Sequence, residues 1–136
     1  MIYLLDVNAL VALGFINHEF HDRVARWVKS HESSSRALLH LATCSITELG
    51  FVRVLAQVPT SGFTVAQART LLQRLKQARD SRFTFVPDGH DVSYLPTWVR
   101  APKQITDGHL SKLASANGAI FATLDESIPG SYLIPK

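Results

Sequence analysis

The chain has 136 residues, 46% of them apolar and 18% charged, a length and composition that suit one folded domain over 1–136 and exclude a disordered chain. Fourteen Lys and Arg against eleven Asp and Glu leave a net charge of +3. Cys44 is the only cysteine, so an intrachain disulfide and a multi-cysteine zinc site are excluded.

Residues 2–5 are a short apolar run ending at Asp6 and read as a buried strand. That start lacks the basic flank of a signal peptide. No apolar run approaches the ~18 residues of a membrane span, and a cytoplasmic protein is expected. A helix is predicted over 9–13, with Asn8 as its cap. Between 19 and 29, Phe20, Val24, Trp27 and Val28 recur at i, i+4, i+7 and i+8, the stripe of an amphipathic helix. Ser33, Ser34 and Ser35 read as a loop. The run 38–44 is a second strand, with a helical start near Ala37 as the alternative. Residues 47–58 predict a helix with Val52, Leu55 and Ala56 inward, stopped by Pro59, and 60–63 a turn. Thr64 and Gln67 form a capping box, opening a helix with the stripe Ala68, Leu71, Leu72 and Leu75. Residues 83–86 read as a third strand. The stretch 87–104 is irregular and suits a helical turn or a substrate-facing loop. A helix over 106–116 turns Leu110, Leu113 and Ala114 inward and ends at Gly118. A fourth strand follows at 119–122, with a short edge strand at 132–134. Short buried strands alternating with helices predict an α/β fold with a mainly parallel sheet of four to five strands. Ligands of such sheets bind beyond the carboxyl ends of the strands.

Four acids fall near strand–helix junctions. Asp6 ends the first strand, Glu48 lies in the first turn of the helix after the second, Asp107 opens the helix before the fourth, and Asp125 follows the fourth. Each also has an ordinary structural role. Asp6 and Asp125 can serve turns or caps, Glu48 can close a capping box with Ser45, and Asp107 can complement the helix dipole beside a Thr106 cap. Yet Asp107 precedes Leu110 by three and Glu48 precedes Val52 by four, which sets both acids on core-facing stripes. Carboxylates gathered at one sheet edge repel unless a hard cation such as Mg²⁺ or Mn²⁺ neutralises them. With those four set apart, fourteen bases face seven acids over the rest of the chain, a balance that suits a polyanionic partner.

The flanking residues carry a resemblance. Leu4-Leu5-Asp6-Val7-Asn8-Ala9-Leu10 resembles the opening motif of PIN-domain nucleases, and Thr47-Glu48-Leu49-Gly50-Phe51-Val52-Arg53 their second. Ile105-Thr106-Asp107-Gly108-His109-Leu110 resembles the third, and Gly118-Ala119-Ile120-Phe121-Ala122-Thr123-Leu124-Asp125 the fourth. The likeness runs from Met1 to about Ile128 in the family's order, and in length and motif wording is most similar to the VapC toxins of bacterial toxin–antitoxin pairs. It implies a PIN-like α/β/α sandwich and a Mg²⁺- or Mn²⁺-dependent endoribonuclease. Asp6 and Asp107 would be the principal metal ligands, with Glu48 and Asp125 completing the site. Asn8 would hold Asp6 or a metal-bound water, Thr123 would support Asp125, and Thr106 the start of the Asp107 helix. A metal-activated water would cleave the phosphodiester, leaving a 5′-phosphate and a 3′-hydroxyl. Either Glu48 or Asp125 could orient or deprotonate that water. The resemblance also implies homodimerisation and a VapB-type antitoxin, through which alone operator DNA would be bound.

Arg53, Arg79, Arg82, Arg100 and Lys103 are candidate RNA phosphate contacts, and Arg69, Arg74 and Lys76 add charge on one helix. Tyr94 and Trp98 can stack on unpaired bases or anchor their loop. His18 and His21 are three apart, so the H-E-x-x-H zinc pattern is absent, and His109 reads as a surface residue. Transfer, ribosomal and messenger RNA all remain open as substrates. The competing readings are a PIN nuclease of RNA processing or of DNA, and a non-catalytic Mg²⁺-binding receiver-like module. A receiver would cluster its acids early in the chain and place a lysine after a late strand, which this sequence does not do.

Overall fold

The apolar run that opens the chain becomes the centre of the sheet. In the computed structural model, which describes residues 1–35, 39–57 and 62–136, β1 (Ile2–Leu5) is followed by α1 (Val7–Gly14), α2 (His21–Ser35), β2 (Leu39–Cys44), α3 (Ser45–Gln57), α4 (Val65–Lys76) and β3 (Ser81–Val86). Two short 3₁₀ turns, Val92–Tyr94 and Pro102–Gln104, lead to α5 (Ile105–Ala116), β4 (Ala119–Thr123) and β5 (Tyr132–Leu133). The five strands pair in the order β3-β2-β1-β4-β5 and every pairing is parallel. The α/β expectation and the strand count therefore hold.

Strand alternation assigns the two faces of the sheet. Tyr3, Leu5, Leu39, Leu41 and Ala122 pack with α1 to α4, through Leu10, Val24, Trp27, Phe51, Leu55 and Leu72. Leu4, Ala42, Cys44 and Phe121 pack on the opposite face with Leu110, Leu113 and Ala114 of α5. Both faces are covered, as an all-parallel sheet requires.

Several boundaries move. Asn8 is not the cap of α1: Asp6 is, with extended backbone and a carboxylate Oδ1 that accepts the Ala9 N–H at 2.6 Å. The helix predicted from 19 starts at His21 and runs through the three serines expected to form a loop. Thr106 is not a cap, since α5 begins at Ile105. Gln104 precedes it and spends its side-chain oxygen on the Arg100 and Ala101 N–H groups. The Thr64–Gln67 capping box is present. The expectations at Ala37, Leu38, Val58, Pro59 and Thr60 lie outside the described residues.

The chain builds β1, β2 and β3 outward in one direction, then returns to add β4 on the other side of β1. This reversal opens a crevice at the carboxyl ends of β1 and β4, the place where open parallel sheets bind ligands. Among the described residues no helix is long and apolar enough to cross a membrane.

Candidate active site

Asp6 sits at the mouth of that crevice, one residue beyond β1, and is 8% exposed. Its position is over-determined. The backbone N–H donates to Ala122 of β4 at 3.1 Å, Oδ1 caps α1, and Oδ2 accepts the Thr123 hydroxyl. Thr123 is fully buried, and its Oγ1 also accepts the Asp125 N–H at 3.0 Å. One threonine thus links the two acids that flank β1 and β4. Asp107, in the first turn of α5, faces the same space. Asp6, Asn8, Phe20, Thr106, Asp107 and Asp125 line one cavity of about 450 Å³, together with Val7, Leu110 and Leu124.

The electrostatics of the three acids differ. Burial, above all, pushes the Asp6 carboxyl above the ordinary carboxylate range. Hydrogen bonds from Thr123 and Ala9 oppose that rise, and the charges of Asp107 and Asp125 add to it. Burial and the Asp125 charge raise Asp107 as well. Asp125 is held below the ordinary range by hydrogen bonds from the Ser127 N–H and hydroxyl, with the Lys103 charge assisting.

Glu48 is not drawn into this cavity. Its Oε2 accepts the Thr43 hydroxyl at 2.5 Å and the Lys76 ammonium at 2.6 Å. It lines the neighbouring groove between α3 and α4, with Arg53 and Arg69. The expected four-acid cluster is therefore three acids about one cavity and a fourth, ion-paired, beside it. Among the described residues no group of three His, Cys, Asp or Glu converges closely enough to hold a metal ion as placed.

The other expected residues divide. Lys103 and Asp107 line a small adjoining cleft with Asp125 and Trp98, so Lys103 stands at the acidic rim. Arg100 is exposed on the segment leading to it. Arg82 pairs in register with His40 near the amino end of β3, and Arg79 lies just before that strand. Both are at the edge of the sheet opposite the acids. His109 is not a solvated surface residue: its side chain is 15% exposed and bonded to Asp88.

No family model matches the chain. It is 38% identical over 130 residues to ribonuclease VapC38 of Mycobacterium tuberculosis, covering 92% of this chain and 86% of that protein. It is 37% identical over 132 residues to ribonuclease VapC44 of the same species, covering 92% and 87%. The chain belongs to the VapC ribonuclease family. The folds of other VapC proteins agree with its architecture. VapBC2 from Rickettsia felis, solved bound to a DNA fragment from its promoter, superposes with a TM-score of 0.63 at 17% identity, covering 98% of this chain and 97% of that one. Mycobacterium tuberculosis VapC20, a sarcin–ricin loop cleaving toxin, superposes at 0.58 with 12% identity, covering 93% and 92%.

Around this cavity of the VapC-family chain, sequence reasoning missed His18 and Phe20. His18 accepts the Phe20 N–H at Nδ1 and donates from Nε2 to the Asn8 amide oxygen at 3.2 Å. Asn8 is thereby oriented by His18 rather than turned on Asp6. The spacing of ten residues between them gives no periodic signal. Burial lowers the His18 pKa, in keeping with the neutral ring that this bonding requires.

Proposed function

We propose that this VapC-family chain is the toxin of a toxin–antitoxin pair and cleaves RNA at the cavity shared by Asp6, Asp107 and Asp125, with a divalent cation. The observation that carries the assignment of the site is the Thr123 hydroxyl joining Asp6 to Asp125 at the switch point of the sheet. The donors suit a hard ion: all are carboxylate oxygens, and Asp6 and Asp107 stand in mutual repulsion with Asp125. Asp6, Asp107 and Asp125 would hold Mg²⁺ or Mn²⁺, and Glu48 would serve from the adjacent groove as the fourth acid. When bound, such an ion supplies Lewis acidity and a more acidic water.

The chain's own residues do the rest. Asp6 is locked by two hydrogen bonds, so its carboxylate needs no reorganisation on meeting substrate. Asp125, kept ionised by Ser127 and Lys103, is a poor proton acceptor at neutral pH and better suited to orient the attacking water by hydrogen bonding. Lys103 and Arg100 offer charge to the phosphates either side of the cut. Arg53 offers the same from the α3 groove. The partner in this reading is a VapB-type antitoxin, by analogy with the Rickettsia felis pair. Homodimerisation, contact with operator DNA through the antitoxin and a cytoplasmic setting belong to the same reading.

The test is cleavage of total cellular RNA by purified wild type and Asp6→Asn, in Mg²⁺ and in EDTA, with sequencing of the new 5′ ends. A discrete set of cuts, absent in EDTA and in the variant, is expected. Equal cutting by the variant would remove Asp6 from the mechanism.

A further inference from the structure

A second cavity, of about 390 Å³, lies beside the acidic one on the other flank of the α5 N-terminus. Thr106 lines both. The second cavity is otherwise walled by the apolar Ile46, Val92, Leu95 and Ile105, by His90 and His109, and by the carboxylate of Asp91. Its loop wall is firmly built. Asp88 Oδ1 accepts the His90 N–H at 3.0 Å, and Asp91 Oδ1 accepts the Ser93 N–H at 2.9 Å, capping the turn Val92–Tyr94. The His90 ring stacks on Tyr94, with centroids 4.0 Å apart and planes 14° from parallel. His109 Nε2 donates to Asp88 Oδ2 at 2.5 Å, tying this loop to the helix that carries Asp107.

Two features call for an occupant. Val92 and Ile105, which line the cavity, are 82% and 47% exposed, unusual for large apolar side chains beside a charged site. Thr106, exposed on the wall common to both cavities, offers its hydroxyl there.

We propose that this cavity is the subsite for an unpaired nucleobase adjoining the scissile phosphate, an inference that rests on the ribonuclease reading above. A base is flat and apolar on its faces, which suits Val92 and Ile105, and carries donors and acceptors on its edge, which suit the Thr106 hydroxyl. The acidic side chain of Asp91 on this wall disfavours a phosphate, so the neutral base enters it and the backbone stays on the Lys103 side. The Thr106 wall common to both cavities makes one continuous trough for phosphate and base. The loop would thus set which nucleotide is read, while Asp6, Asp107 and Asp125 cut.

The experiment is cleavage of a random single-stranded RNA pool in Mg²⁺ by wild type, Val92→Ser and His90→Ala, with sequencing of the cut ends. Val92 is exposed, so its substitution leaves the core intact. Wild type is expected to prefer one base at a nucleotide flanking the cut by about tenfold, falling to about twofold in both variants, as loss of base stacking predicts. Cutting by wild type without a flanking preference, or a preference unchanged in both variants, would overturn the subsite and leave the nuclease reading intact. No cutting by wild type would defeat the nuclease reading, and the subsite with it. A cognate antitoxin measured in parallel gives a further outcome: weaker antitoxin binding by the variants with base preference unchanged would make the cavity a protein-docking surface and overturn the proposal.

Discussion

Asp6 performs two jobs with one side chain, capping α1 through Oδ1 and facing the acidic cavity. The first job survives replacement by Asn, which keeps an acceptor oxygen; the second does not. Asp6→Asn is therefore expected to lower cleavage about a hundredfold or more, the scale of losing a preorganised charged group, without unfolding the protein. Stability should move the other way. The folded pKa of Asp6 is raised, chiefly by burial, so its ionised form destabilises the metal-free protein at neutral pH. That cost disappears as pH falls through the raised folded pKa towards the ordinary carboxylate range. Thermal melts in EDTA should show Asp6→Asn melting higher than wild type at pH 7, with the gap closing as pH is lowered. Thr123→Val keeps the shape but strips both hydrogen bonds, and should cost about 1–3 kcal/mol in denaturant unfolding, since it leaves the Asp125 N–H and Asp6 Oδ2 without their partner. At this scale Asp6 and Asp125 were legible because each ends an apolar run. Glu48 was only half legible. Its place in the helix could be read, but Lys76 lies 28 residues away, and no local pattern announces that pairing.

Between elements, two glycines let the helices that carry Glu48 and Asp107 pack closely on their neighbours. A Cβ on Gly50 would lie 2.6 Å from Val7 Cγ2, between α3 and α1, and one on Gly108 would overlap Val99. Gly108 follows Asp107, so the approach of α5 to the 96–99 loop also positions that acid. Gly108→Ala should cost about 1–3 kcal/mol by overpacking and reduce cleavage, and the double variant with Val99→Ala should recover most of both losses. Calorimetry and RNA cleavage on the same samples check this. Most elements could be read from periodicity, and α4 from its capping box. The serines at 33–35 read as a loop because serine is only a middling helix former; α2 nevertheless continues through them, carried by the stripe of Val24, Trp27 and Val28. The parallel pairing of β5 with β4 was not legible, because only eight residues separate them, fewer than a parallel crossover usually needs. Gly130, with φ of 71°, turns the chain back on that short path.

For the whole molecule, charge and metal binding give two measurable responses. RNA binding should weaken with salt, log affinity falling linearly with log concentration, because phosphate contacts release counterions; a flat response would remove the basic residues from binding. Mg²⁺ should raise the melting temperature of wild type in proportion to its occupancy of the folded state, and should leave Asp6→Asn almost unmoved. Both responses depend on an arrangement in which the central strand is made first and one of its neighbours almost last. β1 acquires β2 within the first third of the chain, whereas β4, which supplies Thr123 and precedes Asp125, is among the final elements. A nascent chain that has emerged only as far as β3 holds Asp6 and Glu48 but neither Asp107 nor Asp125. A chain with this topology does not bring Asp6, Asp107 and Asp125 round one cavity until its synthesis is nearly complete, so the acidic cavity is absent from every shorter nascent chain.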